Sequence, residues 1–99
     1  MPTAIVLGAG MVGSVIAADL ASGPGERFDV TVADASRAAL ERAGKRAPVR
    51  TVAADLSDPG AIREMVAPFD VVCGALASHL GFGALRAVIE AGKAYCDIS

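Results

Sequence analysis

Runs of positive charge are missing from this chain of 99 residues, and that absence excludes a class of partner. Nine Lys and Arg stand against eleven Asp and Glu for a net charge of -2. The cations are spread from Arg27 to Lys93, with one loose cluster at Arg42, Lys45, Arg46 and Arg50. Nucleic-acid binding is excluded, because it needs a concentrated basic surface to displace counterions. The loose cluster surrounds a predicted helix end at Gly44, where cations complement the helix dipole.

Cysteine is nearly absent too. Cys73 and Cys96 lack the C-x-x-C spacing and the His neighbours of a metal or redox site, and both fall in apolar runs, so they read as core thiols. No apolar run reaches the roughly 20 residues that a membrane span needs. Residues 4–18 come nearest, but no Lys or Arg precedes them and Gly8, Gly10 and Gly13 interrupt them, which excludes a signal peptide as well. A reducing, cytoplasmic setting is expected. Repeats, low-complexity tracts and linkers are absent, so residues 1–99 are expected to form one domain.

What is present is aliphatic. Hydrophobic residues make up 54% of the chain and charged ones 20%, while only four residues are aromatic. That composition, rich in Ala, belongs to a packed globular fold. Residues 4–7 form a short apolar run closed by Gly8, suited to a strand buried on both faces of a parallel sheet. A helix follows from Met11, with Val12, Val15, Ile16 and Leu20 at helical spacing, and the breakers at residues 22–25 end it.

The alternation then continues. Residues 30–33 form a second strand, and Ser36 caps a helix over residues 37–43 that Gly44 is expected to stop. Residues 49–54 form a third strand. Asp58 and Pro59 open a helix with Ile62, Met65 and Val66 as its apolar stripe, and Pro68 closes it. A fourth strand spans residues 70–76, a helix with Leu85, Val88 and Ile89 spans 82–91, and a fifth strand spans 94–98. Strict strand-helix alternation with short loops predicts an α/β fold: a Rossmann-type doubly wound parallel sheet of five strands in the order 3-2-1-4-5, in three αβα layers.

The glycine pattern Gly8-Ala9-Gly10-Met11-Val12-Gly13 directly follows a buried strand and opens an apolar helix. In that setting Gly8 permits the tight turn, Gly10 lets the backbone approach a pyrophosphate, and Gly13 allows close packing of helix on strand. The helix N-terminus supplies N–H donors and dipole to phosphates, with Met11 and Val12 among them. Asp34 ends the second strand about 20 residues past Gly13, where the fold places an acid for the ribose hydroxyls. Its alternative role is to cap the next helix, for which Ser36 is better placed. A carboxylate there repels a 2'-phosphate, so NAD is expected over NADP; Arg37 just beyond is placed where an Arg could hold such a phosphate, but it is read as a solvated residue of the first helical turn.

Asp55, with Leu56, is placed to flank the adenine, or else serves as a loop carboxylate near Ser57 and Asp58. Gly74, Ala75 and Leu76 end the fourth strand across the crevice from the glycine turn, as backbone contacts to the middle of the cofactor. His79, the single histidine, lies in the loop beyond them and is the one weak catalytic candidate. Asp97 and Ser99 end the fifth strand on the same edge.

The segments Val6–Gly13, Asp70–Leu76, Leu80-Gly81-Phe82 and Ala87–Ser99 together resemble the N-terminal domain of the saccharopine dehydrogenase-like family, which includes saccharopine dehydrogenase and lysine 6-dehydrogenase. The resemblance spans nearly the whole chain, and its most specific part is the ending AGKAYCDIS. It implies the NAD(P)-binding part of an oxidoreductase that moves hydride at the C–N bond of an amino acid. It also implies that substrate and catalytic residues lie mainly in a following domain, so that the chain is the N-terminal piece of a two-domain enzyme. The cofactor residues carried over are the three glycines, Asp34, Asp55 and residues 74–76. The open edge of a terminal fifth strand predicts association of copies, which light scattering would register. The competing class is a regulatory NAD-sensing domain of the kind that gates potassium transport, which shares the glycine turn and the two acids but lacks the Leu80-Gly81-Phe82 turn and the Cys96–Ser99 ending.

Overall fold

Strand β1 (Thr3–Leu7) carries no polar residue after Thr3, and its residues Ala4 to Leu7 are fully buried. Such a strand has to lie inside a sheet covered on both faces. It does so in the computed structural model, which describes residues 2–23, 27–74 and 94–97. The remaining elements are α1 (Met11–Ser22), β2 (Asp29–Asp34), α2 (Arg37–Arg46), β3 (Arg50–Ala53), α3 (Pro59–Val66), β4 (Val71–Gly74) and β5 (Ala94–Asp97). The five strands pair in the order β3-β2-β1-β4-β5, all parallel. The Rossmann-type sheet expected from the alternation is therefore the fold.

Side chains alternate across the sheet because successive Cβ atoms of a strand point to opposite faces. Ile5 and Leu7 of β1 join Ala33, Leu56, Val72 and the α3 residues Ile62 and Val66 in one core cluster. Ala4 and Val6 join Val30, Val32 and Cys73 with Ala17 of α1 and Ala39, Leu40 and Ala43 of α2 in the other. One face thus carries α3 and the other carries α1 and α2, which makes the three layers. Cys73 is buried, as a core thiol should be; Cys96 lies in β5, in register with it. At the opposite end of the sheet from the glycine turn, Thr3 N–H donates to Asp70 Oδ2 at 2.9 Å and Asp70 N–H donates to Thr3 Oγ1 at 3.1 Å, tying the starts of β1 and β4 together.

Two expectations are corrected. Gly44 does not stop α2, which runs on to Arg46 and is capped at Ala47. Gly44 does not take the positive φ that commonly lets a glycine stop a helix; Ala43 and Ala47, four residues apart and both buried, flank it as the helix runs on. The apolar stripe of α1 is only partly the one read from the large residues. Leu20 packs against the core cluster, but Val15 is 46% exposed and Ile16 half-buried, while the small residues Gly13, Ser14 and Ala17 are buried. Small residues win that face because they let the helix backbone approach β1 and β2 closely. The side chain of Val12 and the predicted helix over residues 82–91 lie outside the described residues. The caps of the other two helices are as read: Ser36 accepts from Ala39 N–H at 3.2 Å, and Asp58 accepts from Gly60 N–H at 3.0 Å with Pro59 at the first helical position.

Candidate functional site

The carboxyl ends of β1, β2 and β4 converge on the turn between β1 and α1. Gly8, at φ 109°, holds a conformation that side chains rarely adopt, and this bends the chain from strand to helix. Gly8 N–H donates to Ala33 O at 2.7 Å, so the turn is stitched to β2. Ala9 N–H donates to Asp34 Oδ2, also at 2.7 Å. Ser14 Oγ donates to Ala9 O at 3.0 Å from one turn inside α1. Ala9 is thus held on both sides, by the acid at the end of β2 and by the hydroxyl of the helix it introduces.

Gly10 needs a different explanation. Its φ of -69° and ψ of -170° are open to any residue, and an added Cβ would meet no atom within 4 Å. Neither backbone strain nor packing demands glycine there. The Cβ would project into the open space beside the α1 N-terminus, where no side chain caps the first-turn N–H groups, whereas Ser36 and Asp58 cap α2 and α3. An uncapped N-terminus with clear space before it is what an anion such as a pyrophosphate requires. The residues present fit a dinucleotide.

Asp34 is the second part. Its Oδ1 accepts from Ser36 N–H at 2.8 Å while its Oδ2 takes Ala9 N–H. The carboxylate is therefore oriented by two backbone donors, and Ser36, not Asp34, caps α2. Each carboxylate oxygen has a further lone pair for a hydroxyl donor. Ala54 N–H donates to Asp34 O at 3.0 Å, which places Asp55 immediately beside the end of β2. Asp55 Oδ1 accepts from both Ser57 N–H at 2.9 Å and Ser57 Oγ at 2.6 Å, and the hydroxyl bond first, then the backbone one, lowers its pKa below the ordinary carboxylate value.

Leu56 corrects one expectation. It is 5% exposed, packed into the cluster of Ile5, Ile62 and Val66. A side chain used in the core cannot also flank an adenine, so Asp55 stands alone at that position. Gly74 is buried at the end of β4, in register with Leu7 just before the turn. The structure thus brings Gly8, Gly10, Met11, Gly13, Asp34 and Gly74 to one edge with Asp55 at its margin. Ala75, Leu76, His79 and Ser99 lie outside the described residues, and Asp97 is placed by its backbone in register with Gly74.

Residues missed by sequence reasoning are found on α1 and α2. Ser14 holds the turn, a role invisible in a pattern that treats the positions between glycines as variable. A cavity of about 320 Å³ is lined by Ala9, Gly10, Met11, Ser14, Arg42 and Arg46. The signal for the two arginines was their spacing of four, which puts both on one face of a helix. A second cavity, of about 310 Å³, lies between α2 and the edge strand β3, with Arg37, Leu40, Thr51 and Ala53 on its walls. Among the described residues no group of His, Cys, Asp and Glu is arranged to hold a metal ion, and no helix is long and apolar enough to cross a membrane.

Comparison with known proteins follows the same lines. Residues 4–99 match the family described as the saccharopine dehydrogenase NADP binding domain. Saccharopine dehydrogenase (L-Glu forming) from Saccharomyces cerevisiae superposes with a TM-score of 0.84 at 22% identity, covering 100% of this chain and 22% of that one. Scyllo-inositol dehydrogenase from Lactobacillus casei, with bound NAD(H) and scyllo-inositol, gives 0.77 at 22% identity over 98% of this chain and 28% of that one. A short-chain dehydrogenase/reductase from Veillonella parvula in complex with NADP gives 0.72 at 14% identity over 99% and 47%. This chain therefore spans less than half the length of each of these three. No curated protein sequence matches it.

Proposed function

This chain belongs to the saccharopine dehydrogenase NADP-binding domain family, and from that premise we propose that it is the part of an amino-acid dehydrogenase that holds NAD. It is a dinucleotide-binding domain of an oxidoreductase family; the choice of dinucleotide, the substrate and the residues of the site are our reading. The observation that carries the choice is Asp34, whose carboxylate is fixed at the end of β2 by Ala9 N–H and Ser36 N–H. Held there, it accepts from the two ribose hydroxyls and repels a phosphate in place of the 2'-hydroxyl. The family's description names NADP, so the preference for NAD rests on this one residue.

In this reading the turn Gly8 to Gly13 receives the pyrophosphate, Asp55 accepts from the adenine amine, and the backbone of Gly74, Ala75 and Leu76 passes the middle of the cofactor. Held by these residues, a nicotinamide would supply hydride transfer at a carbon next to an amine nitrogen, the amine and imine forms of the substrate differing by that hydride and one proton. His79 is the candidate within this chain to carry that proton. The isolated chain then binds cofactor without turnover.

The test is a titration with NADH and NADPH of the chain and of an Asp34→Ser/Ala35→Arg variant. The expected result is tighter NADH binding by the parent chain and a shift toward NADPH in the variant. An unchanged preference would remove Asp34 from the ribose site. Because the variant also frees Ala9 N–H, some loss of affinity for both dinucleotides accompanies the shift.

A further inference from the structure

We propose that Arg42 and Arg46 of α2 form a phosphate-binding pair that completes the glycine turn from the side. Arg42 and Arg46 are one turn apart, on the face of α2 directed at α1, and they share a cavity of about 320 Å³ with Ala9, Gly10 and Met11. Lys45, which belongs to the same basic cluster and the same last turn, does not line it. Placement, not the helix dipole alone, therefore distinguishes the two arginines.

The cavity wall carries no acidic residue. Among the described residues neither arginine is engaged in an ion pair, whereas Arg50 approaches Asp29 at 3.7 Å. Two guanidinium groups without a carboxylate, facing a glycine whose missing side chain leaves open space and a helix N-terminus that no side chain caps, make a site for a phosphate. The shared wall at Gly10 and Met11 favours the pyrophosphate as the source; the 2'-phosphate of NADP is the other phosphate a dinucleotide can bring. Ser14 fixes the floor of the cavity through its bond to Ala9 O.

This rests on the dinucleotide reading of the site. The experiment is a fluorescence titration of the chain and of an Arg42→Gln/Arg46→Gln variant with NADH and with NADPH, at low and at moderate salt. Thermal melting of both proteins accompanies it, since exposed positions on α2 should leave the fold intact. The expected result is a loss of roughly tenfold or more in affinity at low salt, as charged hydrogen bonds to phosphate warrant, with a weaker salt dependence in the variant. A loss for both dinucleotides assigns the pair to the pyrophosphate, and a loss for NADPH alone assigns it to the 2'-phosphate. Equal affinities of parent and variant, with the parent binding, would overturn the pair while leaving the glycine-turn site in place. A parent chain that binds neither dinucleotide would instead overturn the reading of the site itself.

Discussion

The two faces of the sheet draw on the same strands but are filled with different material. Below β1 and β4, α3 packs Ile62 and Val66 against Ile5, Leu7, Leu56 and Val72. Above β1 and β2, α1 and α2 contribute Ala17, Ala39 and Ala43, with Leu40 as the one large buried helix residue, against Ala4, Val6, Val30 and Val32. The first face buries larger helix side chains, each of which contributes more on burial than an alanine does. The second brings helix backbones close to the sheet, and that is the face on which the glycine turn, Asp34 and the arginine pair meet. The packing of α1 beside α2 is what lets Arg42 and Arg46 share a cavity with Gly10. The difference teaches that bulk secures the fold on one side while small residues shape the site on the other.

The largest effect should come from the bulky face. Ile62 is fully buried, and Ile62→Ala is expected to cost about 2–5 kcal/mol through lost transfer energy and a cavity, read by chemical denaturation. A cost below that of enlarging the alanine face would break the comparison. On that face, Ala17→Leu is expected to destabilise by about 1–3 kcal/mol by overpacking and to weaken NADH binding, since α1 must move away from β1. Unchanged binding would show that the site tolerates a lifted helix.

The smallest effect has the opposite sign. Gly44 lies within α2 and is exposed, and an added Cβ would have Thr51 Cγ2 as its nearest neighbour at 4.0 Å. Gly44→Ala is therefore expected to stabilise by about 0.5–1 kcal/mol, seen as a raised denaturation midpoint. A loss would mean that the helix in solution stops at Gly44 after all.

Much of the site was legible along the chain because its parts are local. A glycine turn after an apolar strand, an acid at the end of the second strand, and caps at Ser36 and Asp58 each depend on a few consecutive residues, and each stands where the pattern put it. The misreadings all concerned competition between places. Gly44 looked like a stop because glycine often is one, but two buried alanines flank it and the helix runs on. Val15 looked like core because it is large, but the smaller face of α1 packs better near the turn. Leu56 looked available to a ligand, and the core had already taken it.

The order of strands and helices, the glycine turn and the family were determined by the sequence alone, because each follows from short-range periodicity, glycine placement or a contiguous motif. Only the tertiary structure decided that Asp34 grips Ala9 N–H and that Arg42 and Arg46 share a cavity with Gly10. Those relations join residues that are close in space only once strands pair and helices pack. No pattern along the chain records how near two helices come; the volumes of the side chains between them do.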